Sequence, residues 1–199
     1  MLRVQRLRAD HADVLLAFER ENRAYFARSV PDRGDAYFSG FADRHRALLA
    51  EQEAGLCHFH VVLTEQGDLV GRVNLVDVAA GFAELGYRVG ERAAGKGVAT
   101  AAVEQVCHLA ADDYRLAGLT ALATLDNPAS QAVLARTGFT VTGETSIGGR
   151  PALRYQRQLA GRPARSVVVP ERVVAGRAQD RPADDVDHAE DDGEVAEQR

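Results

Sequence analysis

No apolar run in this 199-residue chain approaches the roughly 20 residues needed to cross a bilayer, and the N-terminus lacks the apolar core of a secretory signal. Cysteine is scarce. Cys57 and Cys107 show neither CxxC spacing nor a disulfide framework, so a reducing cytoplasm is the expected compartment. Lysine is scarcer still: of 24 basic residues only Lys96 is lysine, which reads as a genome favouring arginine codons. A strong charge of either sign is missing from residues 1–159, which hold 18 basic and 19 acidic residues, so no nucleic-acid footprint and no membrane surface is expected there. A metal cluster is missing too. His58 and His60 share a strand face beside Cys57, but two ligands do not make a site, and no metal is expected. There is no internal repeat, and nothing in the sequence reports an oligomeric state.

What is present suits one folded domain with an appendage. The apolar content of 46% suffices for a core. Leu2–Arg8 reads as a first strand and Asp10–Arg20 as a helix with Val14, Leu15 and Phe18 on one face. Glu21–Gly34 ends in the turn Pro31-Asp32-Arg33-Gly34. Tyr37–Glu53 reads as one helix with Phe38, Phe41, Leu48 and Leu49 inward. His58–Thr64 and Leu69–Val78 form a hairpin around Glu65-Gln66-Gly67-Asp68. Further strands are expected at Leu119–Leu125, Thr140–Glu144 and Pro151–Leu159. Between the first two of these, a helix starts at Asp126-Asn127-Pro128 and stops at Thr137-Gly138-Phe139. The character then changes. Residues 160–199 carry ten acids, six arginines, three prolines and no aromatic residue, so residues 1–160 are expected to be the domain and 161–199 a disordered acidic tail.

The chemistry concentrates at Ala83–Cys107. Glu84–Val89 alternates Leu85, Tyr87 and Val89 with Glu84, Gly86 and Arg88, as a strand does. The loop Gly90–Gly97 follows, and then a helix whose Val98, Ala102, Val106, Leu109 and Ala110 make an apolar stripe. A strand, a glycine-containing basic loop and a helix N-terminus together build an anion site, because the first-turn amides are unpaired and the dipole is positive there. The P-loop pattern is absent, and so is the dinucleotide fingerprint, since Gly95-Lys96-Gly97-Val98-Ala99-Thr100 ends in threonine.

The pattern that fits is Arg92-x-x-Gly95-x-Gly97, which resembles the pyrophosphate loop of the GNAT superfamily of acyl-CoA-dependent N-acyltransferases. A second stretch, Asn127-Pro128-Ala129-Ser130 followed by Arg136-Thr137-Gly138-Phe139, resembles that superfamily's second signature. Together with Glu21-Asn22-Arg23 and Ala83-Glu84-Leu85-Gly86-Tyr87, it looks like the branch containing ribosomal-protein N-terminal acetyltransferases. The resemblance covers residues 2–159. It implies a mixed α/β fold: a central twisted, mostly antiparallel sheet with splayed central strands and flanking helices. It also implies acetyl-CoA as co-substrate. The thioester would lie along the central strand beside Tyr87, Arg88 and Val89, with an amide near Val89 polarising its carbonyl. The amides of Ala94, Gly95, Lys96, Gly97, Val98, Ala99 and Thr100, with the Arg92 and Lys96 side chains, would hold the pyrophosphate, and Asn127 the pantetheine arm. The amine attacks directly, consistent with the lack of a G-x-S-x-G elbow. Many members place an acidic tyrosine where this chain has Ala135, so Ser130 is the substitute expected near the sulfur, and Glu84 the candidate base.

Each assignment has a plainer counterpart. Gly95 and Gly97 can serve only a tight loop, Asn127 only as a helix cap and Ser130 only as a first-turn residue. Glu84 can pair with Arg88 on a solvated face, which would depress its pKa and suit it to orienting a cationic substrate. Cys107 reads as core. The function expected is acetyl transfer from acetyl-CoA to a primary amine, with a protein N-terminus as one acceptor. The alternatives are a small-molecule amine acetyltransferase (amino acid, polyamine or antibiotic) and a non-catalytic CoA-binding module. Deleting residues 162–199 should leave the melting temperature and acetyl-CoA affinity nearly unchanged, because such a segment contributes few buried contacts. A fall of several degrees in a thermal melt would show that the segment packs on the domain.

Overall fold

The structure, a computed structural model, describes residues 2–159; the tail expected at 161–199 lies outside the described residues. The chain runs β1 (Arg3–Arg6), a 3-10 turn, α1 (Ala12–Glu21), α2 (Arg23–Phe26), α3 (Gly34–Ser39), α4 (Phe41–Glu53), β2 (His58–Leu63), β3 (Leu69–Ala79) and β4 (Phe82–Val89). After a second 3-10 turn come α5 (Val98–Asp112), β5 (Gly118–Thr124), α6 (Pro128–Arg136), β6 (Thr140–Ile147) and β7 (Arg150–Gln158). This is the mixed α/β, mostly antiparallel architecture expected. The seven strands form one sheet in the order β1-β2-β3-β4-β5-β7-β6. Every neighbouring pair is antiparallel except β4 and β5, which run parallel.

That parallel pair is short. Its rungs run from Phe82 opposite Gly118 to Leu85 opposite Ala121, and there they end, although β4 continues to Val89 and β5 to Thr124. The two strands therefore part beyond Leu85. A parallel pair needs a crossover, and α5 supplies it with a fully apolar face. Val98, Ala102, Val103, Val106, Cys107 and Ala110 are buried against Leu75, Leu85, Leu119 and Leu134 on one side of the sheet. Leu109, expected on this stripe, is only half-buried, while Val103 and Cys107 complete it. On the other side α1 to α4 cover Phe59, Val61 and Leu63 with Leu15, Phe18, Phe26, Tyr37 and Phe41.

Four stretches differ from the sequence reading. The helix expected over Tyr37–Glu53 is two helices that break at Gly40, where the Ser39 hydroxyl bonds the Ala36 carbonyl at 3.2 Å and competes with the helical ladder. The Glu21–Gly34 stretch contains the short helix α2, which turns Phe26 into the core. β4 begins at Phe82, and β6 extends to Ile147. Leu119 is fully buried in the β5 layer beneath α5, so Leu119→Ala should cost about 2–5 kcal/mol in urea unfolding. A loss under about 0.5 kcal/mol, the scale of a surface change, would place that side chain outside the core.

Candidate active site

Where β4 and β5 part, a cleft of about 350 Å³ opens, and both of the helices that leave these strands begin at it. Gly90 and the 3-10 turn Glu91–Ala93 lead from β4 to Gly95 and Gly97, both left-handed with φ of 72° and 76°. Gly97 is the N-cap of α5, which puts the unpaired amides of Val98, Ala99 and Thr100 at the cleft wall. A Cβ built on Gly95 or Gly97 would meet no protein atom within 4 Å, so neither glycine is there for close packing. Their bare backbones form an open cradle of the shape and polarity that a pyrophosphate requires.

On the β5 side, Asn127 caps α6, its Oδ1 accepting from the Ser130 amide at 3.0 Å. Ser130 Oγ lies 2.9 Å from the Tyr87 hydroxyl, so a side chain from β4 and one from α6 bridge the gap between the strands. Burial pushes the Tyr87 phenol up to about 12, against the pull of Ser130, and it stays protonated at neutral pH. The Val89 amide points into the gap by strand alternation. Its neighbour Gly90 donates to the Val70 carbonyl of β3 at 2.9 Å, so the preceding N–H faces the opposite way, towards the departed β5.

The cleft is lined by Tyr87, Arg88, Val89, Ala94, Gly95, Gly97, Val98, Ala99, Thr100, Asn127 and Ser130, which gathers most of the residues singled out from the sequence. Arg92 and Lys96 are not among the lining residues; Arg92 instead makes an exposed ion pair with Glu21 at 3.0 Å. Glu84 is also outside the lining. It sits one rung before the parting, opposite Thr120.

The solvated-face reading of Glu84 is overturned. The carboxylate is 7% exposed, one of its oxygens has no hydrogen-bond partner among the described residues, and Arg88 turns instead to Glu19 at 3.6 Å. Burial, with help from Asp77 and against Arg154, raises its pKa to about 7 rather than depressing it. Strand alternation gave the face, but whether that face is buried is a tertiary fact.

The sequence puts the Asn22–Gly34 segment beside the acceptor pocket but singles out no residue in it. Tyr25, Phe26, Ser29 and Val30, from α2 and the loop after it, line the cleft and form that wall. The paired aromatics Tyr25-Phe26 were the one available signal. Asn22, buried, ties that wall to the cradle by accepting from the Glu91 amide at 2.9 Å. Arg136 also lines the cleft, from the segment already noted for Gly138. His60 Nε2 meets the Tyr114 hydroxyl at 2.7 Å and His58 stacks on the same ring. Among the described residues no group of three or more potential metal ligands occurs.

Parted parallel strands with an amide cradle at the end of one and a capped helix at the end of the other define an acyl-CoA-dependent acyltransferase fold. The comparisons carry this further. The family model described as "Acetyltransferase (GNAT) domain" matches residues 1–140, and the chain belongs to that family, as an acetyl-CoA-dependent N-acetyltransferase. Among solved structures it resembles the ribosomal-protein-S5-alanine acetyltransferase of Vibrio fischeri (TM-score 0.75, 20% identity, 80% of this chain and 93% of that one). It likewise resembles Mycobacterium smegmatis RimJ bound to a CoA disulfide (TM-score 0.71, 22% identity, covering 79% and 81%). The spermidine N-acetyltransferase of Vibrio cholerae, solved with CoA and spermine, has the same fold at TM-score 0.66 and 17% identity, covering 79% and 95%. A search of curated protein sequences gives no match.

The cradle can be tested with its strain removed from the comparison. Gly97→Val forces a left-handed conformation that costs an L-residue about 1–2 kcal/mol anywhere. Gly55 has a φ of 73° and equally open space, and does not line the cleft. Gly97→Val and Gly55→Val should lose similar stability, while only Gly97→Val weakens CoA by tenfold or more, about 1.4 kcal/mol, in calorimetry. Equal CoA affinities in the two variants would remove the loop from the site.

Proposed function

We propose that this chain moves the acetyl group of acetyl-CoA to a primary amine by direct attack, and that the favoured acceptor is the N-terminal amine of a protein such as a ribosomal protein. The observation that carries the reading is the single cleft joining the α5 amide cradle, the unpaired Val89 amide and the aromatic wall of α2. The acceptor is suggested by two structural neighbours whose names specify ribosomal-protein or RimJ activity.

In this reading the amides of Gly95 to Thr100 hold the pyrophosphate, the Ala94 amide being taken by the Glu91 carbonyl at 3.2 Å; Asn127 binds the pantetheine arm, and CoA supplies an activated thioester. The Val89 amide donates to the thioester carbonyl as negative charge develops on its oxygen. The amine lone pair forms the new C–N bond, and the C–S bond breaks with its electrons going to sulfur. One proton leaves the amine and one reaches the thiolate. Glu84, one rung beyond the cleft, takes the first through water. The Tyr87–Ser130 pair supplies a hydrogen bond, and then a proton, to sulfur.

Free-thiol release from acetyl-CoA in the presence of N-terminal peptides, set against a panel of small amines, tests the acceptor. Turnover only with small amines would exclude the protein N-terminus. Glu84 must be ionised to act as a base, so kcat should fall as pH drops through about 7. In Glu84→Gln that acidic limb should flatten and kcat should drop by about 10²-fold or more, the contribution typical of a positioned base. A wild-type limb retained in a folded Glu84→Gln protein would assign the proton to another group.

A further inference from the structure

Gly90 has a φ of −62° and a ψ of 153°, a conformation open to any residue, so its backbone does not call for glycine. Its surroundings do. A Cβ there would come within 2.9 Å of the Phe18 ring, 3.0 Å of Asn22 Oδ1 and 3.2 Å of Asn22 Nδ2. The start of the cradle loop is therefore pressed onto the end of α1 with no side chain of its own between them. Asn22, 6% exposed, sits at this contact. Its backbone closes α1 and opens α2. The Asn22 N–H donates to the Phe18 carbonyl at 3.1 Å, and the Asn22 carbonyl accepts from the N–H of Phe26, on the aromatic wall, at 2.9 Å.

The Asn22 side chain uses both of its ends. Nδ2 donates to the Phe18 carbonyl and Oδ1 accepts from the Glu91 amide, each at 2.9 Å. Glu91 opens the 3-10 turn that leads to Gly95, and Gly90 before it has no side chain with which to cap that turn. Asn22 supplies the cap from 69 positions away. Two ion pairs cross the same seam, Arg92–Glu21 at 3.0 Å and Arg28–Glu91 at 3.3 Å, but both are exposed and add little. The bond from Asn22 is the firmer tie, since its loss leaves the Glu91 donor without that acceptor in a part-buried place.

From this joint we infer that Asn22 is a positioning residue for acetyl transfer: it fixes the aromatic wall that receives the amine to the loop that holds CoA, and so sets the distance between amine and thioester. The inference rests on the acetyl-transfer reading and adds a residue to it. Asn22 is not among the cleft-lining residues, whereas Tyr25, Phe26 and the cradle are, so it acts through the two segments it joins. Reacting atoms must stand about 3–3.5 Å apart, and a displacement of about 1 Å caused from a distance can cost on the order of 10²-fold. The cradle keeps supports of its own. Ala93 is buried, and the Ala93 and Ala94 amides bond the Gly90 and Glu91 carbonyls at 2.9 and 3.2 Å. Loosening the joint therefore lowers kcat and leaves CoA bound.

Three variants test this, with acetyl-CoA affinity read by calorimetry. Their kcat is read with the fastest acceptor of the peptide and small-amine panels, an alanine-initiated amidated peptide and spermidine among them. Asn22→Leu is nearly isosteric and removes both side-chain bonds. Asn22→Asp keeps an acceptor towards Glu91 in either protonation state, while burial of its carboxyl group costs stability. Gly90→Ala keeps every bonding group and wedges the seam with a methyl that has no room. Asn22→Leu and Gly90→Ala should each lose about tenfold or more in kcat, with the acetyl-CoA Kd within about threefold of wild type. Asn22→Asp should stay within about threefold in both constants, although both Asn22 variants melt at lower temperature. That contrast separates positioning from a structural role, because lost stability alone would cost the two Asn22 variants alike. Unchanged kcat in a folded Asn22→Leu protein overturns the inference and leaves transfer standing. So do equal kcat losses in Asn22→Leu and Asn22→Asp, or a Kd that rises as much as kcat falls. Should Asn22→Leu fail to fold, Gly90→Ala decides on its kcat and Kd. Wild-type protein that binds acetyl-CoA and acetylates no amine overturns the transfer reading, and this inference with it.

Discussion

Everything at the site depends on one parallel strand pair that stops early. β4 and β5 share rungs only as far as Leu85 and Ala121. Parallel neighbours have their C-terminal ends on the same edge of the sheet, so the elements that follow them start side by side. Here those elements are α5 and α6, and two helix N-termini with their unpaired amides converge on the gap. An antiparallel pair at this position would have sent one of them to the far edge. The parting also leaves the Val89 amide without a strand partner. A backbone donor in that position needs an acceptor, and a thioester oxygen is one that arrives with the substrate.

What was legible in the sequence was legible because its cause is local. Gly95 and Gly97 announce a tight loop before a helix, Asn127-Pro128 a capped start, and Gly138 a stop, and all of these stand in the structure, where both loop glycines are left-handed. The resemblance to the acyltransferase superfamily added order and direction to these fragments. What was not legible joins distant residues. Tyr87 and Ser130 are 43 positions apart, and Glu19 and Arg72 are 53 apart. No periodicity encodes such pairs. Glu84 shows the boundary most clearly: alternation gave its face, and only the folded structure revealed a buried carboxylate with a raised pKa instead of a solvated one with a lowered pKa.

The arginines divide into two kinds by the same logic. Arg23 with Asp32 and Asp35, Arg92 with Glu21, and Arg28 with Glu91 are exposed pairs, and each contributes little to stability. Arg72 and Glu19 are a buried pair, where removing either member strands a charge, so its weight lies in keeping α1 against β3. Arg88 stands between these kinds. It is buried enough to be held in place, yet it reaches the cleft wall. A chain that needed only to close its core there could have used an apolar residue, as Phe26 does beside it.

The proton traffic follows from strand geometry. Residues 84 and 87 differ by three positions on one strand, so their side chains project from opposite faces of the sheet. Glu84, with Gly86 and Arg88, faces the α1–α4 layer, while Tyr87, with Leu85 and Val89, faces α5 and α6. In the proposed reaction an amine approaching along the Arg88 and Phe26 wall meets the carboxylate's side, and a thiolate leaving towards the α6 N-terminus meets the hydroxyl pair. An intact sheet would separate the two faces. The early end of the β4–β5 ladder opens a passage between them, so that bond formation on one side and proton delivery on the other occur around a single carbonyl carbon. A longer parallel ladder would make a more regular sheet and would close that passage.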